Sequence, residues 1–301
     1  MSAALRIGTR DSTLALWQAE KVKRELESHG TSCEIVTIKS EGDLNLSTPI
    51  YQMGLTGVFT KTLDAALLSD RIDLAVHSLK DVPTLLAEGL SLAATLKRAN
   101  PKDVLVKGSD PNSNTIATGS LRRKAQWLNR FATDQVIGLR GNVQTRLSKI
   151  AEQHIKGGIF AAAGLERLGI DTSAVEHLDW MIPAPAQGAI TIATRQDDER
   201  VISVCTPLND ENTALAVTLE REFLRRLEGG CSSPIGAYAS IENDMLYFKG
   251  GLFSLDGSEA IVVERNMPKA AAIEQIDALV QEVLENGGRA VLKKIRDGQD
   301  S

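Results

Sequence analysis

The most constraining feature of the chain is an alternation of short apolar runs with longer segments of helical spacing. LRIGTR and CEIVTIKS are typical of buried strands, and the segment between them is predicted to be a helix capped by Asp11 or Ser12 and stopped at Gly30. A helix in VFTKTLDAALLSD and a strand in DLAVHS follow. Because strands that alternate with helices form mostly parallel sheets covered on both faces, this part is predicted to be an α/β unit.

The alternation restarts near Asp103 and predicts a second α/β unit. Its strands are expected in DVLVKG, TIATGS, VIGLR and GIFAAAG, with one helix opened by Ser120 and another that starts at Asn142. The segment PAPAQG resembles a linker, and the apolar run AITIATR beyond it is predicted to return to the first sheet.

From Asn209 the pattern changes to one long helix followed by alternating strands. The helix TALAVTLEREFLRRLE is predicted to stop at Gly229 and Gly230. Strands are expected in IGAYASIE, MLYFKGGLFS and AIVVERN, with a hairpin turn at Asn243 and Asp244, and the helix DALVQEVLENGG closes this part. These elements predict a small α+β domain.

The length of the chain, 301 residues, exceeds one typical core, so two or three domains are expected. Domain 1 is predicted to comprise 1–96 with 189–206, domain 2 to comprise 97–188, and domain 3 to comprise 207–301. The predicted fold class is α/β with a small C-terminal α+β domain.

Composition and charge indicate a globular protein of the cytosol. Hydrophobic residues make up 43% and charged residues 24% of the chain, and neither a secretory signal nor a run of ~18 apolar residues is found in the sequence. The formal net charge of -5 argues against a broad basic surface for nucleic acid, and no membrane contact is expected. Cys33, Cys205 and Cys231 are too widely spaced for a disulfide framework or a CxxC metal site, so no metal is expected.

Basic residues recur where predicted strands end and helices begin. They are Arg10, Lys80, Arg122, Arg123, Arg140 and Arg146. The carboxyl ends of strands line the ligand crevice of open α/β sheets, and a helix N-terminus such as that at Ser120 adds donors for an anion. The pattern predicts a ligand with several negative charges. Each arginine alone is also compatible with a surface ion pair, and phosphate is possible on charge alone, although no GxxxxGK[ST] or GxGxxG motif is present in the sequence.

Two further residues are candidates for chemistry. Asp81, in HSLKDVP, is either a turn residue or a carboxylate that stabilises a cation or moves a proton, whereas His77 in the same run is interpreted as a packed residue. Cys231 lies in LEGGCSSPIG, where glycines and a proline favour an exposed loop, so its thiol is either reactive or incidental. Cys33 and Cys205 lie in apolar stretches and are interpreted as small core residues.

A set of motifs along nearly the whole chain resembles one family. IGTRDSTLALWQAE, AVHSLKDVP, GSLRRKAQ, LRGNVQTRLSK, AAAGLERLG, PAPAQGA and LEGGCSSPIGAY stand in the order found in the porphobilinogen deaminases, also called hydroxymethylbilane synthases. The resemblance implies two periplasmic-binding-protein-like α/β domains that face each other across a cleft, with a third domain that presents the cysteine.

The resemblance also implies a transferase of tetrapyrrole and haem biosynthesis. Cys231 would hold one dipyrromethane cofactor through a thioether. Asp81 would support loss of ammonia from porphobilinogen and stabilise the azafulvene cation while the growing chain attacks it. Four additions would precede hydrolytic release of hydroxymethylbilane. The enzyme is expected to be a cytoplasmic monomer whose partner is the small-molecule substrate.

The residues that would bind carboxylates follow from the same resemblance. The expected cofactor-binding residues, besides Cys231, are Lys80, Thr118, Ser120, Arg122, Arg123, Arg140 and Arg146. The expected substrate-binding residues are Arg10, Ser12, Gln18, Arg140, Arg146, Arg167 and Gln187.

The chain departs from the family pattern in its glycine-rich loop. MGLTGVF places Thr56 where many members carry a lysine, and nearby Lys61 is not expected to replace that charge fully. A non-enzymatic anion-binding module with a periplasmic-binding-protein-like fold is the alternative function, since fold alone does not exclude it. A nucleotide or phosphosugar enzyme is a weaker third possibility, because the sequence has no phosphate loop.

Overall fold

The computed structural model describes residues 4–39, 60–227 and 233–299. In these ranges the strands are β1 (Leu5–Thr9), β2 (Cys33–Thr37), β3 (Leu74–Ser78), β4 (Leu90–Thr95), β5 (Asp103–Lys107), β6 (Thr115–Ala117), β7 (Gln135–Ile137), β8 (Gly157–Ala161), β9 (Glu176–His177), β10 (Ile190–Arg195), β11 (Ile235–Glu242), β12 (Met245–Phe253) and β13 (Ala260–Pro268). The α-helices are α1 (Thr13–Ser28), α2 (Lys61–Leu68), α3 (Leu121–Arg130), α4 (Val143–Glu152), α5 (Ala162–Arg167), α6 (Glu199–Cys205), α7 (Glu211–Arg226), α8 (Ala272–Val283) and α9 (Arg289–Gln299).

The first five-stranded sheet has the order β2-β1-β3-β10-β4. β1 pairs in parallel with β2 and β3, and β10 lies antiparallel between β3 and β4. Four strands therefore point one way and β10 points the other. The predicted return of AITIATR to the first sheet is confirmed, because this run forms β10. We call this sheet and its helices the first lobe.

The second five-stranded sheet has the order β7-β6-β8-β5-β9 and repeats the topology of the first. β6 pairs in parallel with β7 and β8, while β5 lies antiparallel between β8 and β9. This sheet and its helices form the second lobe. The α/β class expected for both halves is confirmed.

Two crossing segments, 96–102 and 178–189, connect the lobes. They lie side by side, since the Ala99 N–H donates to the Gly188 carbonyl over 3.1 Å. Gly188 has a φ of +89°, and a Cβ there would stand 2.7 Å from the Ala99 carbonyl oxygen. Glycine is therefore required at 188 both for its backbone conformation and for the close approach of the second segment.

The third sheet is the antiparallel meander β11-β12-β13, covered by α7, α8 and α9. The Phe223 ring of α7 meets the Phe248 ring of β12 edge to face at 5.3 Å between centroids. Asn243 and Asp244 have φ values of 48° and 61°, as a two-residue hairpin turn requires. The predicted hairpin and the separate C-terminal α+β unit are both confirmed.

A few elements differ from the expectations. The run GIFAAAG is not one strand, because β8 ends at Ala161 and α5 starts at Ala162, where small residues suit either state. Ser12, rather than Asp11, caps α1 by accepting the Ala15 N–H over 3.4 Å. α7 begins two residues earlier than predicted because Asp210 caps it, accepting the Thr213 N–H over 2.8 Å.

Among the described residues, no helix combines the length and the apolar character that crossing a membrane demands.

Candidate functional site

The first lobe contributes a carboxylate and a lysine at the end of β3. A 3-10 turn, Leu79–Asp81, follows the strand and carries both residues. Leu79 is fully buried and anchors the turn. Asp81 is partly buried, and its carboxylate makes no ion pair or side-chain hydrogen bond within the described part of the chain. The turn thus places next to Lys80 a carboxylate that no described residue pairs with.

Lys80 lies where its positive charge is disfavoured. The pKa of Lys80 is lowered to about 8, chiefly by burial; Asp81 and Asp103 oppose the shift, and the guanidinium groups of Arg123 and Arg122 add to it. The Lys80 ammonium group donates to Gln187 Oε1 over 3.4 Å. An anion bound here would restore the full charge of Lys80.

The second lobe contributes two arginines from the first turn of α3. Ser120 caps this helix by accepting the Arg123 N–H over 3.4 Å, which fixes the start of the helix and the direction of both side chains. Both arginines are buried, Arg122 to 4% and Arg123 to 7% exposure. Both pair with Asp103, whose carboxylate lies 2.8 Å from Arg122 Nη1 and 2.7 Å from Arg123 Nη2.

Arg123 donates from all three guanidinium nitrogens to groups inside the protein, and Arg122 donates from Nη1. Arg123 Nη1 donates to the Ile159 carbonyl over 2.8 Å, and Arg122 Nη1 donates to the Ile182 carbonyl over 2.7 Å. Arg122 Nε is buried and has no hydrogen-bond partner among the described residues. The structure therefore places both arginines under the wall of the site, and their predicted contact with a cofactor stays a prediction.

Asp103 is the counter-ion of the second lobe. Burial works to raise the pKa of Asp103, but Arg122 and Arg123 outweigh it and bring the pKa to about 2. Gln187 also donates to the carboxylate over 2.9 Å and to the Pro101 carbonyl over 2.7 Å. Gln187, predicted to bind substrate, is 1% exposed and bridges Lys80 to Asp103 across the two lobes.

Arg146 and Arg140 complete the cationic side of the site. Burial lowers the pKa of Arg146 to about 10, with added repulsion from Arg123 and Arg140 and an opposing attraction from Asp81. Burial lowers the pKa of Arg140 as well. Because Asp81 acts on Arg146 and Lys80, and Arg123 acts on both of those cations, the two lobes meet in one electrostatic cluster.

This cluster holds more positive than negative charge. Its cations are Lys80, Arg122, Arg123, Arg140 and Arg146, and its carboxylates are Asp81 and Asp103. Burial and mutual repulsion disfavour several of these cations, so a ligand with carboxylates would be bound more strongly here than by exposed lysines. The predicted convergence of basic strand ends is confirmed for these residues.

The remaining candidates lie around the cluster. Gln18 is 2% exposed and donates to the Ser78 hydroxyl over 2.8 Å, directly beside the turn that carries Asp81. Thr118 is buried and accepts the Ser120 N–H over 3.2 Å. Ser12 caps α1. The bonds of Thr118 and Ser12 support the backbone, that of Gln18 holds the Ser78 side chain, and direct ligand contact of the three stays a prediction.

Arg10 and Arg167 approach the site from different elements. Arg10 follows β1 and adds to the lowering of the pKa of His77, which burial brings to about 4, so His77 is neutral and packed as predicted. Arg167, on α5, donates to the Gly188 carbonyl over 2.6 Å and stacks over Trp17 of α1 at 5.8 Å. Arg167 therefore joins the two lobes beside the crossing segments.

The structure describes two of the three cysteines, and both lie in the core as predicted. Cys33 and Cys205 are buried, and burial raises their pKa values to about 11 and about 12. Neither thiol is suited to act as a nucleophile. Cys231 and Thr56 lie outside the described residues, so the expectations for the reactive thiol and for the glycine-rich loop stay predictions.

Several residues of the site escaped the sequence interpretation. The sequence analysis identifies Asp103 only as the start of a strand. A carboxylate at the start of a buried strand, in a chain segment rich in cations, is nevertheless a signal for an internal counter-ion. Glu220 falls on the apolar stripe of α7, which is likewise a signal for a buried ion pair, here with Arg98 at 2.5 Å. Arg221, beside it, showed no signal that sets it apart from a surface arginine.

Comparison with known proteins gives a consistent result. Residues 5–203 match the family model described as "Porphobilinogen deaminase, dipyromethane cofactor binding domain", and residues 214–286 match "Porphobilinogen deaminase, C-terminal domain". A porphobilinogen deaminase of Trichlorobacter lovleyi is 41% identical over 97% of this chain and 96% of its own length. Another, of Desulforamulus reducens, is 37% identical over 99% of this chain and 100% of its own length.

Solved structures of more distant proteins also align. The periplasmic VFT2 domain of BvgS from Bordetella pertussis has a TM-score of 0.41 at 13% identity, covering 67% of this chain and 85% of that chain. A YaeC-family lipoprotein of Enterococcus faecalis has a TM-score of 0.40 at 13% identity, covering 71% of this chain and 94% of that chain. At such scores the likeness carries no argument about function.

Proposed function

The chain belongs to the porphobilinogen deaminase family, and from this premise we propose which of its residues perform the reaction. The enzyme joins four porphobilinogen molecules head to tail, with loss of ammonia, onto a covalent dipyrromethane primer and releases hydroxymethylbilane by hydrolysis. Asp81 is the catalytic carboxylate, Cys231 is the point of attachment, and the cations of the cluster bind the carboxylates. The observation that carries this proposal is the Asp81 carboxylate after β3, which forms no ion pair among the described residues and lies among cations from both lobes.

The residues of the cluster fit a dipyrromethane that carries carboxylate side chains. Lys80, Arg140 and Arg146 are at least partly buried, and burial disfavours their charged forms. An anionic group would remove that penalty, and arginine offers it a planar pair of donors. Bound through Cys231, the cofactor supplies the pyrrole position onto which the first substrate is joined. The protein's cations would hold its carboxylates.

Asp81 is available to the substrate, because it forms no ion pair with a cation in the described ranges. As ammonia leaves porphobilinogen, positive charge develops on the pyrrole, and an ionised carboxylate that is not already paired can stabilise that charge. Asp81 can also take up the proton that is lost when the new bond forms. A carboxylate already paired, such as Asp103, could do neither without first giving up its arginines.

The cations explain how a lengthening product is retained. Each pyrrole unit adds two carboxylates, so every addition raises the negative charge that the site has to bind. Arg146, at the boundary of the two lobes, and Arg140 are the candidates for these contacts, with Lys80 binding nearest to Asp81. Arg122, Arg123 and Asp103 support the wall beneath them.

Further points of organisation belong to the same proposal. Sheet membership supports domain 1 as 1–96 with 189–206, domain 2 as 97–188 and domain 3 as 207–301, because β10 lies in the first sheet and β5–β9 form the second. We also propose that the enzyme works as a cytoplasmic monomer without nucleic acid or membrane. The net charge of -5 supports the absence of a nucleic-acid partner.

Intact-mass spectrometry of the purified protein tests the attachment of the cofactor. The expected result is one adduct of dipyrromethane size, absent in a Cys231→Ser variant that still folds and no longer turns over porphobilinogen. A Cys205→Ala variant is the matched control and should keep the adduct, since Cys205 is buried. Turnover by Cys231→Ser, or an adduct that survives in it, would contradict the proposal.

A further inference from the structure

Arg221 of α7 reaches out of the third domain and binds the backbone of the turn that carries Asp81. Its Nη1 donates to the Val82 carbonyl over 2.8 Å and lies 3.4 Å from the Leu79 carbonyl, while its Nη2 donates to the Pro83 carbonyl over 2.7 Å. One guanidinium group therefore contacts carbonyl oxygens on both sides of Lys80 and Asp81.

α7 restrains the turn from two sides. The 3-10 turn is closed by the Val82 N–H, which donates to the Leu79 carbonyl over 3.1 Å, and the Leu79 N–H donates to the Ala189 carbonyl over 3.0 Å. Below the turn, Leu79 and Val82 pack with Val217, one helical turn before Arg221 on α7. Beyond the link to Ala189, the turn is therefore held by α7 through apolar packing underneath and through the guanidinium group at its carbonyls.

The same helix leads to the proposed attachment site. α7 ends at Arg226, and Cys231 follows five residues later along the chain. Arg221 thus lies on the element that both contacts the catalytic turn and precedes the cysteine. Arg221 therefore ties the position of the Asp81 turn to a helix, and even a small misplacement of a catalytic group lowers the rate strongly.

We infer that Arg221 is a positioning residue, which fixes the turn that carries Asp81 relative to α7, the helix that precedes Cys231 in the sequence. The inference rests on the proposed roles of Asp81 and Cys231. This role suits the planar guanidinium group of arginine, because one group contacts the carbonyls of three residues. The lysine ammonium group is a compact point charge on a flexible stem and matches three carbonyls less well.

The test compares Arg221→Met with Arg225→Met. Arg225 lies on the same helix, is exposed, and pairs only with Glu222 among the described residues, so its substitution controls for loss of a positive charge from α7. Hydrogen exchange of peptides that cover 79–86 should become faster in Arg221→Met and stay unchanged in Arg225→Met. The kcat of Arg221→Met should fall about tenfold to a hundredfold, as expected for misplacement of a catalytic group, with KM changed less than about twofold.

Intact mass of the same variants separates positioning from cofactor loss. Arg221→Met should retain the covalent adduct, and its kcat is measured per adduct-bearing molecule. Arg221→Lys should recover part of the kcat, and it replaces Arg221→Met in every measurement if the methionine variant does not fold. Unchanged exchange over 79–86, or a kcat loss no larger than that of Arg225→Met, would overturn the inference.

An Asp81→Asn variant distinguishes failure of this inference from failure of the proposed function. If Asp81→Asn turns over normally, the proposed role of Asp81 is wrong, and faster exchange in Arg221→Met would then describe the turn alone and refute the positioning of a catalytic group. If Asp81→Asn is inactive while Arg221→Met exchanges and turns over normally, the proposed function stands and the inference about Arg221 fails.

Discussion

The two lobes have the same strand order but differ in the charged residues that follow equivalent strands. In the first sheet β1 lies between β2 and β3, and in the second β6 lies between β7 and β8; one antiparallel strand, β10 or β5, is inserted before the last strand of each sheet. After β3 comes the turn with Lys80 and Asp81, and after the equivalent strand β8 comes α5 with Arg167. Of these two equivalent strand ends, only the one in the first lobe is followed by a turn that carries a carboxylate beside its cation.

The lobes also differ in how their aspartates are compensated. Asp103 is fully buried and paired with two arginines, whereas Asp81 has no ion pair among the described residues. A paired carboxylate contributes to stability, and an unpaired one is available to a substrate. The two sheets bring strand ends together. The internal counter-ions then determine which charged groups are paired and which are available to a substrate.

The largest effect on stability is expected when the counter-ion of the second lobe, Asp103, is removed. Asp103→Ala leaves two buried guanidinium groups uncompensated, so the free energy of unfolding should fall by about 3–5 kcal/mol in urea titrations. Asp179→Ala is the control, because Asp179 pairs with Lys102 at the exposed surface of the same lobe and should change little. Similar behaviour of the two variants would contradict the role assigned to Asp103.

Acid titration tests the contribution of ionised Asp103 to stability. The pKa of Asp103 is about 2 in the folded protein, below its ordinary value of 3.8, so its ionised form stabilises the fold. That contribution is complete above about pH 4 and is lost as the pH falls toward 2. Asp103→Asn should therefore show a shallower loss of stability over this range than the parent protein, measured as urea midpoints at each pH.

The next largest effect is expected at Asp81 and concerns turnover. Asp81→Asn should lower kcat by at least about a hundredfold, because the group that stabilises the developing cation and moves the proton is lost. Its unfolding free energy should hardly change, since no ion pair in the described ranges is broken. Large destabilisation with normal kcat would reverse the assignment of the two aspartates.

Arg146 tests the cationic side of the cluster. Arg146→Met should raise KM about tenfold, because a charge-assisted hydrogen bond to a carboxylate contributes about 1.5–3 kcal/mol. Lys107→Met, at the exposed far end of β5, is the matched control and should leave KM unchanged. Equal KM values for the two variants would remove Arg146 from the binding site.

The smallest expected effect is a pH dependence of binding at Lys80. With a pKa of about 8 in the free enzyme, Lys80 loses its proton, and hence its attraction for carboxylates, as the pH rises through 8. KM should therefore increase severalfold between pH 7 and pH 9.5. Lys80→Arg keeps its charge over this range and should flatten the profile. A profile that is the same in both proteins would show that another group titrates.

Much of the fold and part of the site could be predicted from the sequence. Apolar periodicity predicts the principal strands and helices. The rule that ligands bind at the carboxyl ends of strands predicts that Lys80, Arg122, Arg140 and Arg146 lie in one site. β4 and β9 were missed. β9 has only two residues, and the apolar and small residues of β4 show no alternation that separates a strand from a loop.

The partners of individual side chains were beyond the sequence. Arg122 and Arg123 look alike in GSLRRKAQ, yet Arg123 donates only to groups inside the protein and Arg122 keeps a buried Nε without a partner in the described chain. Likewise, Arg221 contacts carbonyls about 140 positions earlier. Contacts over such separations depend on how domains pack, which local patterns do not encode.

Glu220 has a consequence for any shortened form of the protein. Its fully buried carboxylate binds Arg98 from one crossing segment and the amide groups of Ala186 and Ala239 from the other crossing segment and the third sheet. A fragment that stops at residue 206 would keep both α/β sheets but leave the Arg98 guanidinium without its anion. Removing the third domain therefore breaks a buried ion pair of the crossing segment, and an exchange of the C-terminal module between relatives is expected to preserve this pair only where an acidic residue is kept at position 220.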